Sequence, residues 1–359
     1  MNLRVTIDAT PVLLRSAGVK TYVHHWVRHL RRQADLEIRA FPFLRDFEAL
    51  EHEASMLGPL ATLPRLGLVY WLNQTGYPPL DLLVQGADIV HASNMLRRAP
   101  RRAKLTATLH DLTCWLMPQL HTRSNVRADE NFAEAVLRRA DGLIAVSENT
   151  RQDAIRLLGI APEKIETIHS GVAPEYFDAQ PARRARPYVL YVGAIEPRKN
   201  LNKLLDAWKR LRPEHREAFE LVVAGPLGWG SQKTLARVRA EATYLGYVPE
   251  ADLPGLVAGA AAFAYPSLYE GFGFPVAQAM AAGVPVLTSN TSSLPEIAGD
   301  AALLADPRST VEIANGLARL LDSESLRRKL GERGRARARQ FSWETCAARS
   351  LAFFRRIAG

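Results

Sequence analysis

Cysteine is scarce: the chain of 359 residues has two, Cys114 and Cys346. They are far apart and form no metal-ligand spacing, so a disulfide framework is set aside and two free thiols are expected. No window is long and apolar enough to cross a bilayer as a helix. The N-terminus, MNLRVTIDAT, has no apolar signal core and no cleavage site, which leads us to expect a cytoplasmic protein. There is no low-complexity segment and no clear internal repeat. No glycine fingerprint of the GxGxxG type follows the first apolar run, which sets a dinucleotide oxidoreductase aside. The sequence also shows no carboxylate-rich cluster of the kind that holds a metal.

What is present is a basic, arginine-rich chain with a formal net charge of +9. Nucleic acid, an anionic membrane surface and phosphorylated small molecules would each suit that charge. A plainly solvated surface suits it equally well. The densest cluster is Arg97, Arg98, Arg101, Arg102 and Lys104. No nucleic-acid module accompanies it, so no nucleic-acid partner is expected. With 47% apolar and 23% charged residues, the composition is that of a soluble globular protein. The length suits two domains rather than one core.

Short β-branched runs alternate with helical patterns, the mark of a parallel α/β architecture. In the first half, strands are expected at Leu3–Ile7, Leu36–Ala40, Asp88–His91, Leu105–Leu109 and Gly142–Val146. A helix is expected over Gly18–Arg31, with apolar residues from Val19 to Leu30 at helical spacing. Ser147 is placed to cap the helix after the fifth strand. The segment Asp46 to Leu83 looks mostly helical. A proline-bearing linker is expected over Gly171–Pro187. A second α/β unit follows, with strands at Tyr188–Val192, Leu221–Ala224, Ala261–Tyr265, Pro285–Thr288 and Ala302–Ala305. Helical patterns fill Thr310 to Arg339. Phe341–Ile357 reads as a last helix with Ser342 as its cap.

The stretch Pro266–Glu296, PSLYEGFGFPVAQAMAAGVPVLTSNTSSLPE, carries the most chemistry. A strand leads into a carboxylate, Glu270, then Gly271 and Gly273, then a helical pattern. Glycines let backbone N–H groups approach a ligand, and a helix N-terminus suits a phosphate. Glu270 accepts hydrogen bonds and so suits sugar hydroxyls. A second segment, Glu196–Asn200 (EPRKN), follows the strand YVLYV and Gly193. It places Arg198 and Lys199 at a strand's C-terminal edge, where open α/β sheets bind ligands and where cations grip phosphate. A third, His110 and Asp111, ends the strand LTATL. His110 is expected to hydrogen-bond a sugar or its developing charge. Asp111 either orients a hydroxyl or caps the next turn. A fourth, Ser16–Lys20 (SAGVK), holds Gly18 before the first helix, with Lys20 and Tyr22 following it. AGPLGW (224–229) follows another strand, and SSLPE (292–296) has the pattern of a helix cap.

This pattern resembles the retaining glycosyltransferases of family 4, strongly over Tyr188–Pro307, moderately over Leu105–Val172 and weakly before Pro100. The resemblance implies the GT-B fold: two Rossmann-like domains facing a cleft, over residues 1–170 and 171–340, with a C-terminal helix, 341–359, crossing back to the first. It implies that the first domain binds the acceptor, with Lys20 and Tyr22 as acceptor-side candidates, and the second the nucleotide-sugar donor, with AGPLGW lining the nucleotide pocket and SSLPE capping a helix near the donor. It implies hexosyl transfer from a nucleotide diphosphate sugar to a saccharide or lipid-linked saccharide hydroxyl, with no required metal. Glu270, Arg198, Lys199 and His110 are the catalytic candidates. Gly18, Gly193, Gly271, Phe272, Gly273, Phe274 and Gln278 are the donor-binding ones.

The strand and motif set is most similar to bacterial mannosyltransferases, which implies GDP-mannose, with UDP-linked sugars as alternatives, and peripheral contact with an anionic inner membrane face. The family usually has a second glutamate eight positions after the first, and here it is Gln278. Glutamine either holds the ribose in a mixed donor–acceptor pattern, weakens the donor's affinity, or marks a changed donor. Rival readings are a sugar-nucleotide epimerase on the same fold and an inactive homologue that binds a nucleotide sugar or a partner transferase.

Overall fold

A computed structural model describes residues 2–45, 50–229 and 231–359. The chain forms two compact units, Met1–Gly171 with Ser342–Gly359, and Val172–Phe341. Each is built on a six-stranded parallel sheet.

The first sheet has the spatial order β2 (Leu36–Phe41), β1 (Leu3–Asp8), β3 (Ile89–Ala92), β4 (Lys104–Leu109), β5 (Gly142–Ala145), β6 (Ile165–Thr167). The second has the order β12 (Ala302–Ala305), β11 (Val286–Ser289), β10 (Ala262–Tyr265), β7 (Tyr188–Val192), β8 (Glu220–Ala224), β9 (Thr243–Gly246). Central strands such as β3, β5 and β10 are buried along their whole length. Helices cover both faces of such sheets, so the strands read as continuous apolar runs rather than alternating ones. In the second sheet the chain moves outward from β7 to β9, returns to β10, and moves outward the other way. The point where direction reverses, between β7 and β10, is where ligands settle in open α/β sheets.

Two edge strands escaped sequence analysis. β6 has three residues, and β9 is only half buried and ends in glycine. Weak burial leaves no apolar run to detect. The helical region after Thr310 is two helices, Thr310–Asp322 and Glu324–Ala338, with Ser323 between them capping the second through Leu326 N. The segment expected to be mostly helical holds helices at Pro59–Thr75 and Leu80–Leu83, while 50–58 is irregular. Its residues 46–49 lie outside the described residues. The linker reading of Gly171–Pro187 needs correction. Tyr176 within it is buried, with its hydroxyl 3.5 Å from Glu250, so part of the segment belongs to the second unit's core.

The C-terminal helix, Trp343–Ala358, belongs to the first unit. Ser342 caps it by accepting from Thr345 N at 3.0 Å. Its apolar stripe, including Leu351, Phe353 and Phe354, packs on the helix Gly18–Leu30 and on β3. Trp26 Nε1 donates to Ser350 Oγ at 2.9 Å, so the one polar atom of the buried indole is satisfied. Where the chain leaves the first sheet, Gly171 is obligatory: a Cβ there would lie 2.3 Å from Trp343 N.

Phe354 is fully buried between Trp26 and His91. Phe354→Ala is therefore expected to lower stability by about 3–5 kcal/mol, the range for a deleted core aromatic. Denaturant unfolding measures this; a loss below about 1 kcal/mol would show that the helix is not part of this core.

Candidate active site

The site is assembled by the loops that follow β7 and β10. β7 ends at Gly193, whose N–H donates to Ala224 O at 2.9 Å. The neighbouring loop approaches it closely. A Cβ on Gly225, which has φ +139°, would lie 2.1 Å from Gly193 O. The two backbones then run side by side, with Ile195 N bonded to Pro226 O and Gly228 N to Ile195 O. A short turn, Pro197–Lys199, presents Arg198 and Lys199. Asn200, with φ +60°, ends the turn and starts the helix Leu201–Arg210. Its amide donates to Pro266 O at 2.9 Å and Pro307 O at 2.7 Å, fastening this loop to the one after β10. Leu268 N adds a bond to Arg198 O.

Glu270 lies at the centre and is only 6% exposed. Lys199 Nζ is 2.8 and 3.0 Å from its two oxygens, and Arg198 Nη1 is 3.2 Å from Oε2. Ser267 Oγ donates to Oε1 at 2.7 Å and Tyr265 Oη at 3.1 Å. Burial is the largest single influence on this carboxyl and pushes its pKa up. The charges of Lys199 and then Arg198, with the hydrogen bonds, outweigh it and bring the pKa down to about 2. Arg198 has further partners: Nη1 donates to Tyr269 O at 2.6 Å and Nη2 to Glu196 Oε1 at 2.8 Å. Two cations and two carboxylates thus share one nearly buried cluster.

After Glu270 the chain passes Gly271 and Phe272. Gly273, with φ +97°, turns it into the helix Phe274–Ala281. Phe274, Pro275 and Gln278 form the accessible side of that helix, and the rest of it is buried. Among the described residues the Gln278 amide makes no hydrogen bond. The SSLPE segment does something other than the expected cap. Ser293 makes no side-chain cap to the helix Leu294–Ala298. Its hydroxyl lies 2.9 Å from Glu270 O and 3.0 Å from Phe272 O, and Ser292 Oγ accepts from Glu270 N at 3.1 Å. These serines brace the glycine loop itself.

Gly18 and His110 belong to the first unit. Gly18 opens the helix Gly18–Leu30, with open space where a Cβ would be, so crowding does not explain it. His110 stands edge-on to Tyr22, ring centres 4.9 Å apart. Its Nε2 is buried without a hydrogen-bond partner among the described residues. Burial lowers its pKa to about 4, against a smaller opposing effect of Asp111, so the imidazole is neutral at pH 7. Asp111 is a cap: its Oδ1 accepts from Thr113 N at 3.0 Å and Thr113 Oγ1 at 2.7 Å. Lys20 and Tyr22, the acceptor-side candidates, are turned into the protein rather than to its surface. Both are buried; Lys20 Nζ donates to Glu51 O and Ala54 O at 2.7 Å each, and Tyr22 packs on Trp26, His110 and Trp343.

Sequence analysis missed the residues that hold the cluster: Tyr265, Ser267 and Glu196. Glu196 and Ser267 lie within the quoted motifs, the first close in sequence to Arg198 and the second to Glu270, and that proximity was the available signal. It also missed Asp8, at the end of β1. Asp8 is fully buried and accepts from Thr10 N and Oγ1 and from Leu96 N, closing the corresponding reversal point of the first sheet between β1 and β3.

The depressed Glu270 pKa fixes a sign. The carboxylate's contribution to stability is complete above the ordinary value of 4.5 and is lost as pH falls from there toward about 2. Glu270→Gln is expected to flatten the acid limb of the stability curve within that window, as read by thermal unfolding against pH. An unchanged limb would mean that the carboxylate is not held by the two cations. For His110, the ring proton shifts followed by NMR are expected to stay constant from pH 8 down to pH 5, and a midpoint near 6.5 would contradict its burial.

Comparison with known proteins bears on the family and the fold. Residues 172–337 match the profile described as glycosyl transferases group 1, and residues 16–176 match that of glycosyltransferase family 4. The chain is 37% identical over 266 residues to the O-antigen chain mannosyltransferase B of Escherichia coli, covering 70% of each protein. It is 33% identical to the MMP alpha-(1->4)-mannosyltransferase of Mycolicibacterium hassiacum, over 61% of this chain and 55% of that one. Among solved structures, sucrose-phosphate synthase from Thermosynechococcus elongatus superposes with a TM-score of 0.74 at 21% identity, covering 99% of both chains. WaaG, a glycosyltransferase involved in lipopolysaccharide biosynthesis, superposes with a TM-score of 0.72 at 16% identity, over 98% of this chain and 99% of that one. At those identities the structures speak for the fold alone, and the fold is GT-B. With its two matched profiles and its close sequence relative, the chain belongs to the family 4 glycosyltransferases.

Proposed function

We propose that this glycosyltransferase moves a mannosyl group, with retention, from GDP-mannose to a hydroxyl of a saccharide or lipid-linked saccharide in surface polysaccharide synthesis. The observation that carries the reading is the meeting of Arg198, Lys199 and Glu270 where the second sheet reverses direction. The mannosyltransferase relatives support the sugar.

Lys199 and Arg198 supply the positive charge that a bound metal supplies in other transferases. An ammonium has three N–H donors, and Glu270 does not exhaust them, so Lys199 can also meet a phosphate oxygen. Arg198 is held on three sides and acts as a fixed charge. The C1–O bond to the diphosphate breaks and its electron pair leaves with the phosphate. The acceptor oxygen bonds C1 on the same face, and its proton passes to the departing phosphate oxygen. Catalysis is then positioning and leaving-group stabilisation. Neutral His110, with its unpartnered Nε2, serves as a hydrogen-bonding group toward the sugar. Gln278, half-buried and without a side-chain hydrogen bond among the described residues, would contact the ribose without charge.

Arg198→Ala and Lys199→Ala are each expected to slow turnover at least ~100-fold. Arg198→Ala also leaves Glu196 without its partner and is expected to cost about 3–5 kcal/mol of stability, as broken buried pairs do. Near-normal turnover in both variants would overturn the role. Gln278→Glu is expected to change the donor KM more than kcat. A large kcat change at constant donor affinity would contradict its placement at the ribose. Thermal shifts across GDP-, UDP- and dTDP-sugars, followed by mass spectrometry of products, test the donor. A stabilising UDP-sugar with no response to GDP-mannose would replace it.

A further inference from the structure

Cations around the loop that enters β3 come with carboxylates. Arg4 meets Asp88 at 2.9 Å, Arg39 meets Glu37 at 2.7 Å, and Lys104 meets Asp141 at 3.3 Å. Arg39 also donates to Gln85 O in that loop, at 2.8 Å. Arg101 and Arg102 break the pattern. Both residues are exposed, and among the described residues neither guanidinium makes a hydrogen bond or an ion pair. Their backbone is nonetheless fixed. Asp81 Oδ1 accepts from the N–H groups of both, and Oδ2 from that of Arg101, all at 3.0 Å. This carboxylate is thus bonded to main chain and not to either guanidinium.

Arg101, Arg102 and Asp81 border a hollow of about 480 Å³, within the size range of small-ligand sites. Two cations against one carboxylate leave its lining with a positive excess. Leu82, Val84 and Ala103 make part of that lining apolar. Leu82 is 57% exposed, so an apolar side chain stands open to solvent beside two uncommitted guanidiniums. The hollow is apart from the residues assigned to transfer. Ala87 and Ala103, which line it, come just before β3 and β4, whereas His110 follows β4 and Asp8 ends β1. In a parallel sheet those are opposite edges.

We propose that this hollow is a second ligand site, for a small soluble phosphate monoester with an apolar or ring-shaped body. A monoester carries roughly two negative charges at neutral pH and three strong acceptor oxygens. Two guanidiniums offer it forked N–H donors and a matching charge. Asp81 anchors the backbone from which both forks extend, so less freedom is lost when they close on one phosphate. The body of the ligand covers Leu82, which removes apolar surface from water. A phosphodiester or a carboxylate has a single charge and matches only one of the two cations.

The test is titration of the full chain, by calorimetry or NMR, with inorganic phosphate, phenyl phosphate and dimethyl phosphate. Phenyl phosphate is expected to bind most tightly, and dimethyl phosphate at least ~5-fold more weakly, because it carries one charge. Arg101→Gln with Arg102→Gln weakens phenyl phosphate at least ~10-fold, the scale of a lost hydrogen bond to a charged group. The thermal midpoint and the transfer activity stay unchanged, since neither side chain is bonded in the fold. Leu82→Ser weakens phenyl phosphate roughly 5-fold and leaves inorganic phosphate alone. Lys199→Met leaves both unaffected. No saturable binding up to about 10 mM phenyl phosphate would overturn the site. Binding that survives the double arginine change would do the same, as would a loss in Lys199→Met, which would place the phosphate at the second unit's cluster. Equal affinity for dimethyl phosphate would overturn the choice of a monoester, and indifference to Leu82→Ser would overturn the apolar body.

Discussion

The buried carboxylate of Glu270 between Lys199 and Arg198 is the constraint on which the rest of the site depends. An isolated carboxylate at that depth would be costly, and so would either cation. Together they are tolerable because Ser267, Tyr265 and Glu196 complete the hydrogen bonding. The cluster joins two loops that are distant in sequence and adjacent in space, since β7 and β10 are neighbours in the sheet. Asn200, Ser292 and Ser293 fix the same loops through backbone groups. The cations consequently stand in one place without a ligand, as charge stabilisation without reorganisation requires under the proposed function.

The first unit handles its buried polar groups differently. His91 lies between Thr106 Oγ1 and Thr108 Oγ1, both at 2.9 Å, and burial first and His110 second lower its pKa to about 3. Asp8 is satisfied by backbone and hydroxyl donors rather than by a cation. Lys20 is likewise held by two backbone carbonyls, so the buried ionisable groups here are met by neutral partners rather than by opposite charges. The contrast fits the proposed function, in which the second unit's cluster meets a diphosphate and the first unit offers neutral groups such as His110.

Much of this was legible in the sequence because chemistry and topology coincide there. The apolar runs marked ten of twelve strands, since buried parallel strands are continuously hydrophobic. Arg198, Lys199 and Glu270 were legible because each directly follows such a run with glycine nearby. Residues whose meaning lies in pairing were not legible. Nothing local says that Ser293 braces a loop twenty residues away, or that Lys20 is spent on two carbonyls. The exposed aromatic side of the helix Pro59–Thr75 was hidden for the opposite reason, because an apolar helix in a sequence looks the same whether it is covered or not.

The most direct measurement of the central claim is calorimetric affinity for guanosine, GMP and GDP in the native chain and in Lys199→Met. If the cluster exists to hold a diphosphate, the native chain gains affinity stepwise with each phosphate, and the substitution removes that gain while leaving guanosine binding unchanged. Equal losses for all three ligands, or a GDP advantage that survives without the ammonium, would contradict the account.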